Sequence, residues 1–246
     1  MSDIAETSLL DRARSRRLMI ATPVYRDTAW QYTKSLVNTC VMLERLGIEH
    51  RCHFVIGNSN LPRARNELAA EFLASDCTDL LFVDSDMGWD GASVVRLLAS
   101  DKPLIGGVGR KRVDKPNSDP AVWCARFIPE SVNALNQDAM GAIEVAGVGT
   151  GFMKIARDVF VTMVATHPQW KRPALNSMSE DVGRHYYRFF AFADDEHGTG
   201  EDFLFCQHWR NLGGTVWIDP EITLSHVGAH DYSGSIAALF APEDPS

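Results

Sequence analysis

The stretch that most constrains the fold spans residues 79–90, a short apolar run that ends in closely spaced acids. Residues 80–83 (Leu-Leu-Phe-Val) predict a strand buried on both faces, as in a parallel sheet. Asp84 and Asp86 follow directly, and residues two apart at a strand end project to the same side. Carboxylates so close repel each other unless a bound cation keeps both ionised. The alternative is a solvated turn, or a cap for the helix that starts near Gly91.

The rest of the first half alternates between strand and helix patterns. Further strands are predicted at residues 18–22, 52–57 and 103–108, and helices at residues 28–47, 63–75 and 94–98. Four strands separated by helices predict a parallel, doubly wound sheet. Such sheets bind ligands outside the carboxyl ends of their strands, which is where Asp84 and Asp86 stand. We expect one large α/β domain, because 246 residues that are 45% hydrophobic can bury a sizeable core.

The pattern changes after Gly109. Strands without intervening helices are predicted at residues 121–128 and 143–146, the glycine-rich residues 147–151 predict a flexible turn, and a strand at 152–155 leads into a helix at 157–165. A clear helix at 201–212, a strand at 215–218 and a last short strand ending at 225–226 complete a mixed half.

Three segments outside this pattern have their own expected roles. Residues 167–199 are polar and irregular, with one strand candidate at 186–192, which is typical of a lid over a site. Residues 1–16 are expected to form a mobile N-terminal tail, residues 17–234 the domain, and residues 235–246 a C-terminal tail.

Composition excludes some classes of protein. The formal net charge of -8 argues against a general nucleic-acid-binding or anionic-membrane surface, although the basic run at 110–112 offers a local contact for an anion. No apolar run approaches the ~18 residues of a membrane span. The five cysteines are widely spaced without a C-x-x-C, so neither a disulfide framework nor a structural zinc site is indicated, and we expect a cytoplasmic protein.

Acids, a late histidine and two arginines are further candidates. Glu201 and Asp202 open a helix, where they serve either as ordinary caps or, for one of them, as a general base. His226 is either a structural histidine or the third member of an Asp/Asp/His set that suits Mn²⁺ or Mg²⁺. Arg63 and Arg65 are either exposed helix residues or recruit an anion to the helix N-terminus.

The order of these motifs resembles that in GT-A-fold glycosyltransferases. A strand-terminal Asp-x-Asp, a glycine-rich segment at 147–151, the acids at 201–202 and the late His226 follow one another, and Ala-Arg-Asn at 64–66 is similar to the A-R-N segment of family 2-like members. The resemblance covers residues 18–234. It implies an α/β GT-A fold with a Rossmann-like parallel, nucleotide-binding half over residues 17–110 and a mixed-sheet acceptor half over residues 111–234.

The resemblance also implies a chemistry. A sugar, most simply a hexose, would pass from a nucleotide-diphosphate donor to a hydroxyl-bearing acceptor with inversion at the anomeric carbon. Asp86 and His226 would hold Mn²⁺ or Mg²⁺ with help from Asp84, Asp202 would be the catalytic base, and Glu201 would cap the helix or hold the acceptor. The implied donor-binding set is Thr22, Pro23, Tyr25, Arg63, Arg65, Asp84, Ser85, Gly149, Thr150 and Gly151. The loop at 22–27 lacks the Asn-Glu of many family 2 enzymes.

Two other functions fit parts of the pattern. The strand followed by Asp-x-Asp also resembles haloacid dehalogenase-like phosphatases, in which Asp84 would be the nucleophile. That group carries Thr or Val where this chain has Gly88, and its nucleophile strand comes first, whereas this strand is third. A non-catalytic sugar-nucleotide or carbohydrate-binding protein is the other alternative. A sugar nucleotidyltransferase is disfavoured, because residues 21–23 cannot supply its G-x-G-T-R loop.

Overall fold

The computed structural model describes residues 3–129, 135–196, 198–228 and 230–240, with side chains from residue 9 onward. The strands are β1 (Arg17–Val24), β2 (Glu49–Ile56), β3 (Asp79–Val83), β4 (Met87–Trp89), β5 (Leu104–Gly106), β6 (Ala125–Arg126), β7 (Ile143–Val145), β8 (Gly147–Val148), β9 (Phe152–Ala156), β10 (Val216–Ile218), β11 (Leu224–Val227) and β12 (Asp231–Gly234). The helices are α1 (Asp3–Arg14), α2 (Trp30–Leu46), α3 (Leu61–Ala74), α4 (Gly91–Ala99), α5 (Arg157–Thr166), α6 (Glu180–Arg184) and α7 (Glu201–Asn211).

The main sheet is mixed and mostly parallel. Among the described residues it has seven strands in the order β2-β1-β3-β9-β5-β10-β7. β1 pairs in parallel with β2 and β3, and β5 pairs in parallel with β10. β9 runs antiparallel between β3 and β5, and β7 is antiparallel at the edge. The predicted α/β class is confirmed, but the fourth predicted strand, β5, does not adjoin β3, because the apolar β9 is inserted between them.

The core lies on both faces of this sheet. Every residue of β3 is buried, as predicted for a central strand. Leu80 and Phe82 face the cluster covered by α3 and α5, whereas Leu81 and Val83 face the cluster covered by α2 and α4. Each such side chain contributes roughly 1.5–3 kcal/mol when fully buried, so β3 is a rigid support for the acids that follow it.

A second, small sheet stands beside the carboxyl edge of β3. β11 pairs antiparallel with both β4 and β12, and His226 lies opposite Met87 in this ladder. β6 pairs antiparallel with β8. Strands β4 and β12 were not predicted from the sequence, because strands of three or four residues leave too short an alternation to recognise. This small sheet is what carries the late histidine to the acids after β3.

The two predicted tails are corrected. Residues 3–14 form α1, which packs on α4 with Ala13 fully buried, and the Nε of Arg14 donates to the carbonyl of Leu46 at 2.9 Å. The many charged residues of this segment had predicted a mobile tail, but one side of the helix, at Ala13, is buried. At the other end a 3-10 helix, Ile236–Leu239, inserts the fully buried Ile236 into the core, and residues 241–246 lie outside the described residues.

The predicted lid is largely packed against the domain. It contains a 3-10 helix, Pro168–Trp170, and α6, and residues 186–192 form a single β-bridge, Lys171 to Tyr187, instead of the predicted strand. The side chain of Asn66 on α3 exchanges two 2.8 Å hydrogen bonds with the backbone of Phe190. Burial of the Phe190 side chain strengthens that attachment. Motion of residues 167–199 stays a prediction.

No helix in the described part of the chain is both long enough and apolar enough to cross a membrane.

Candidate functional site

The two acids lie in a tight turn between β3 and β4. The amide of Met87 donates to the carbonyl of Asp84 at 3.1 Å, and the carbonyl of Ser85 accepts from Ala29 just before α2 at 2.9 Å. The amide of Asp84 donates to the carbonyl of Gly151, which precedes β9, at 3.2 Å. The turn is therefore tied to two other segments at the carboxyl edge of the sheet, and its acids are half-buried.

Arg65 is the buried centre of an ionic cluster. Its Nη2 donates to Asp84 Oδ1 at 2.9 Å and its Nε donates to Glu201 Oε1 at 3.1 Å. Arg65 is 1% exposed, and its Nη1 is buried without a hydrogen-bond partner. The guanidinium compensates both carboxylates and joins α3, the turn after β3 and the start of α7. Arg65 therefore positions the acids of the site.

Arg63 does not share this position. Residues two apart on a helix point roughly 200° apart, and Arg63 is half-exposed with its Nε 3.2 Å from Glu67 Oε1. The resemblance implies that both arginines bind the donor diphosphate, whereas in the structure they lie on different sides of α3. Arg63 lies on the far side of α3 from Asp84.

Asp86 and His226 lie next to each other, and each has an atom that can act as a metal ligand. His226 Nδ1 is 2.8 Å from the carbonyl oxygen of Arg110, which only accepts, so Nδ1 carries the ring hydrogen. Nε2 then carries a lone pair and lies 3.6 Å from Asp86 Oδ1, a buried oxygen with no hydrogen-bond partner among the described residues. Burial lowers the pKa of His226, which favours the neutral ring over a protonated one.

This pair fits a divalent cation. An orphaned carboxylate oxygen and an imidazole lone pair are a mixed O,N donor set of the kind that suits Mn²⁺ or Mg²⁺. Asp84 Oδ1 accepts a hydrogen bond from Arg65, and Arg112 contacts the second oxygen of Asp86. Within the described residues, no three His, Cys, Asp or Glu side chains are grouped closely enough to hold a metal by themselves.

Asp202 lies at the mouth of the same edge. Its Oδ1 accepts from the amide of Phe203 at 2.7 Å, and its Oδ2 would be 3.5 Å from a β-carbon placed on Gly149. Burial, with added repulsion from Glu201 and Asp84, raises the pKa of Asp202 to about 6. A carboxylate of this basicity is suited to general-base work near neutral pH. Its neighbour Glu201 is 7% exposed and bound to Arg65, so the two acids have separate tasks.

The glycine-rich segment is close-packed rather than flexible. Gly147 belongs to β8, and the amide of Gly149 donates to the carbonyl of Cys124 at 2.8 Å. A β-carbon on Gly147 would lie 2.8 Å from the ring of Phe203, and one on Gly151 would lie 3.4 Å from Asp84 Oδ2. Thr150 is 2% exposed between them. The lack of a side chain at Gly149 and Gly151 lets the backbone lie close to Asp202 and Asp84, respectively.

The first loop contributes less than the sequence predicted. Thr22 is fully buried and its hydroxyl shares a 2.6 Å hydrogen bond with the phenol of Tyr32, so it is a core residue. Pro23 is buried at the end of β1. Tyr25 is 55% exposed with the guanidinium of Arg26 5.3 Å from its ring centre, which leaves it available to a ligand.

Two residues at the site were not among the predicted site residues. The backbone of Arg110 orients His226, and Arg112 contacts Asp86. The sequence signal was the basic run at 110–112, which had indicated only a local anion contact.

No protein-family model matches this chain, and a search of the curated proteins finds no match. The geometry of the site therefore carries the functional argument.

Proposed function

We propose that the chain is a metal-dependent glycosyltransferase of the GT-A type that moves a sugar from a nucleotide-diphosphate donor to a hydroxyl-bearing acceptor. The observation that carries the proposal is the facing pair of Asp86 Oδ1 and His226 Nε2, which share an edge of the sheet with the basic carboxylate of Asp202. Support for the fold type comes from a parallel half followed by an antiparallel strand and a small sheet that supplies a histidine.

A division of labour among the residues follows. A divalent cation bound at Asp86 and His226 would neutralise the charge that develops on the departing diphosphate. Arg65 pairs with Asp84 and Glu201 and fixes both carboxylates in place. Asp202 accepts the proton of the acceptor hydroxyl as that oxygen bonds to the anomeric carbon, on the face opposite the leaving group. The product then has inverted anomeric configuration.

Donor hydrolysis tests the proposal without knowledge of the acceptor. The protein is incubated with UDP-, GDP- and dTDP-glucose, with Mn²⁺ or with a chelator, and the released nucleoside diphosphate is measured. We expect metal-dependent release from at least one donor. We also expect Asp86→Ala to bind Mn²⁺ at least tenfold more weakly by calorimetry with the nucleoside diphosphate present, whereas Asp101→Ala, an exposed acid, is the matched control.

Two results would contradict the proposal and favour the alternatives. Turnover of p-nitrophenyl phosphate that depends on Asp84, without release from any sugar nucleotide, would identify a phosphatase. Binding of a sugar nucleotide with no release or transfer would identify a binding protein. Equal Mn²⁺ affinity in Asp86→Ala and the parent would show that Asp86 does not bind the metal.

A further inference from the structure

A second cleft lies on the side of α3 away from Asp84. The first turn of α3 and the extended residues 186–192 enclose a cavity of about 280 Å³. Arg63, Arg172 and Arg188 line it, and none of its described lining residues is Asp or Glu. In a chain with a formal net charge of -8, three arginines line one small cavity and the neighbouring acid is Glu67 beside Arg63, so the local charge of the cavity is positive. We call this cavity the arginine cleft.

The fold brings two of the three arginines onto one face. The amide of Arg172 donates to the carbonyl of Tyr186 at 3.0 Å, and the amide of Arg188 donates to the carbonyl of Trp170 at 2.9 Å, so the two stretches pair antiparallel. Side chains alternate along extended chains, which puts Arg172, Tyr186 and Arg188 on one side. The intervening Lys171 and Tyr187 pair on the other side, with Nζ 5.1 Å from the ring centre.

The guanidinium groups in the cleft have free donors. Arg188 has no side-chain hydrogen bond or ion pair within the described residues. Arg172 donates through Nη1 to two carbonyls, those of Gln169 at 3.1 Å and Lys171 at 3.0 Å, and forms no ion pair with an acid in the described part of the chain. Arg63 shares one nitrogen with Glu67. Guanidinium forks of this kind match phosphate and carboxylate oxygens.

Two aromatic residues complete the cleft. Tyr186 is 8% exposed, and burial raises its pKa, so its hydroxyl remains a hydrogen-bond donor at neutral pH. Phe192 is 62% exposed at the rim and offers an apolar face beside the charged floor. A ligand with an oxyanion attached to a ring or a chain would contact the arginines through the oxyanion and Phe192 through the ring or chain.

We propose that the arginine cleft binds the phosphate or carboxylate group of an acidic acceptor. The residues after Phe192 join the cleft to the start of α7 in the chain: the amide of Ala193 donates to the carbonyl of Thr199 at 3.1 Å, and Asp202 follows three residues later. The assignment of this ligand as the acceptor rests on the proposed function, whereas oxyanion binding by the cleft does not.

Binding is measured by calorimetry at low ionic strength. The probes are glucose 6-phosphate and glucuronate, with glucose as the neutral control. We expect at least one acidic probe to bind, glucose to bind at least tenfold more weakly, and Arg188→Gln to weaken acidic binding about tenfold. Arg172→Gln/Arg188→Gln should weaken it further. Arg184→Gln, an exposed arginine of α6 already paired with Glu180 and Asp181, is the matched control and should bind as the parent does.

A second titration separates the acceptor from the donor. Glucose 6-phosphate is titrated with and without saturating uridine diphosphate and Mn²⁺, and we expect its affinity to stay within about twofold. Competition would assign the cleft to the donor diphosphate and overturn the proposal. Absence of binding by both acidic probes, or equal loss in Arg184→Gln and Arg188→Gln, would also overturn it. A failed donor-hydrolysis assay would leave these binding results intact and would count against the proposed function alone.

Discussion

At the scale of single residues, the protonation of Asp202 connects the structure to catalysis. Its pKa of about 6 implies that the base form, and with it the rate of transfer, rises about tenfold per pH unit below that value and levels off above it. Asp202→Asn should lower turnover by ~10² to 10⁴ while donor binding stays nearly intact, since this interaction develops in the transition state. Initial rates and donor affinity between pH 5 and 8 check this.

The control for that experiment is Asp101→Asn, which neutralises an exposed acid. Near-normal turnover in Asp202→Asn, or a product with retained anomeric configuration by NMR, would assign Asp202 to the helix cap.

Ionisation of Asp202 is expected to raise the rate of transfer but to lower the stability of the fold. The folded-state pKa of Asp202 lies above its ordinary value of 3.8, so the folded protein binds more protons between these two values. The stabilising contribution is fully present below the ordinary value and is lost as pH rises through about 6. Replacing a partly buried charge by a neutral amide, which retains the Oδ1 acceptor for Phe203, should therefore raise the melting temperature at pH 7.5.

For a chain of this size, we expect Asp202→Asn to add roughly 2 to 6 °C at pH 7.5 and close to nothing at pH 4. Thermal unfolding at the two pH values measures the difference. A lower melting temperature at pH 7.5 would show that the ionised carboxylate stabilises the fold.

At the scale of elements, Arg65 holds α3, the turn after β3 and α7 together. Arg65→Met leaves Asp84 and Glu201 without their buried partner, which typically costs about 3–5 kcal/mol of unfolding free energy. Arg63→Met, on the exposed side of the same helix, should change it by no more than about 0.5 kcal/mol. Urea unfolding of both variants makes the comparison, and equal losses would contradict the central role of Arg65.

At the scale of the whole molecule, the predicted lid divides into two parts. Residues 186–190 are fastened by Asn66 and by buried Phe189 and Phe190, so we expect slow hydrogen exchange there with or without ligands. Residues 193–200 connect this anchored part to α7, and we expect their exchange to slow when donor and Mn²⁺ bind. Hydrogen exchange with mass spectrometry resolves the two parts.

Asn66→Ala is the internal control. It removes both hydrogen bonds to the backbone of Phe190 and should speed hydrogen exchange at residues 186–190 in the absence of donor. Unchanged exchange of residues 193–200 upon addition of donor and metal would refute a ligand-linked closure.

Much of the framework was predictable from local pattern. The apolar run at 80–83, the helix that begins at Glu201 and the strand before α5 all form where their periodicity predicts. The insertion of β9 between β3 and β5 and the small sheet of β4, β11 and β12 were not predicted. Strand neighbours are set by contacts distant in sequence, about which a local period carries no information.

Local sequence is enough to predict that acids follow a buried strand and that a second pair of acids opens a helix, because strand burial and helix capping depend on neighbouring residues. The partners of each acid, in contrast, depend on tertiary contacts between residues that are distant in sequence. Arg65 meets Glu201 across 136 positions of the chain, and His226 is oriented by a carbonyl 116 positions away. Helical periodicity shows that Arg63 and Arg65 point apart, but packing alone decides that Arg65 is buried among carboxylates and Arg63 lines a cleft of its own.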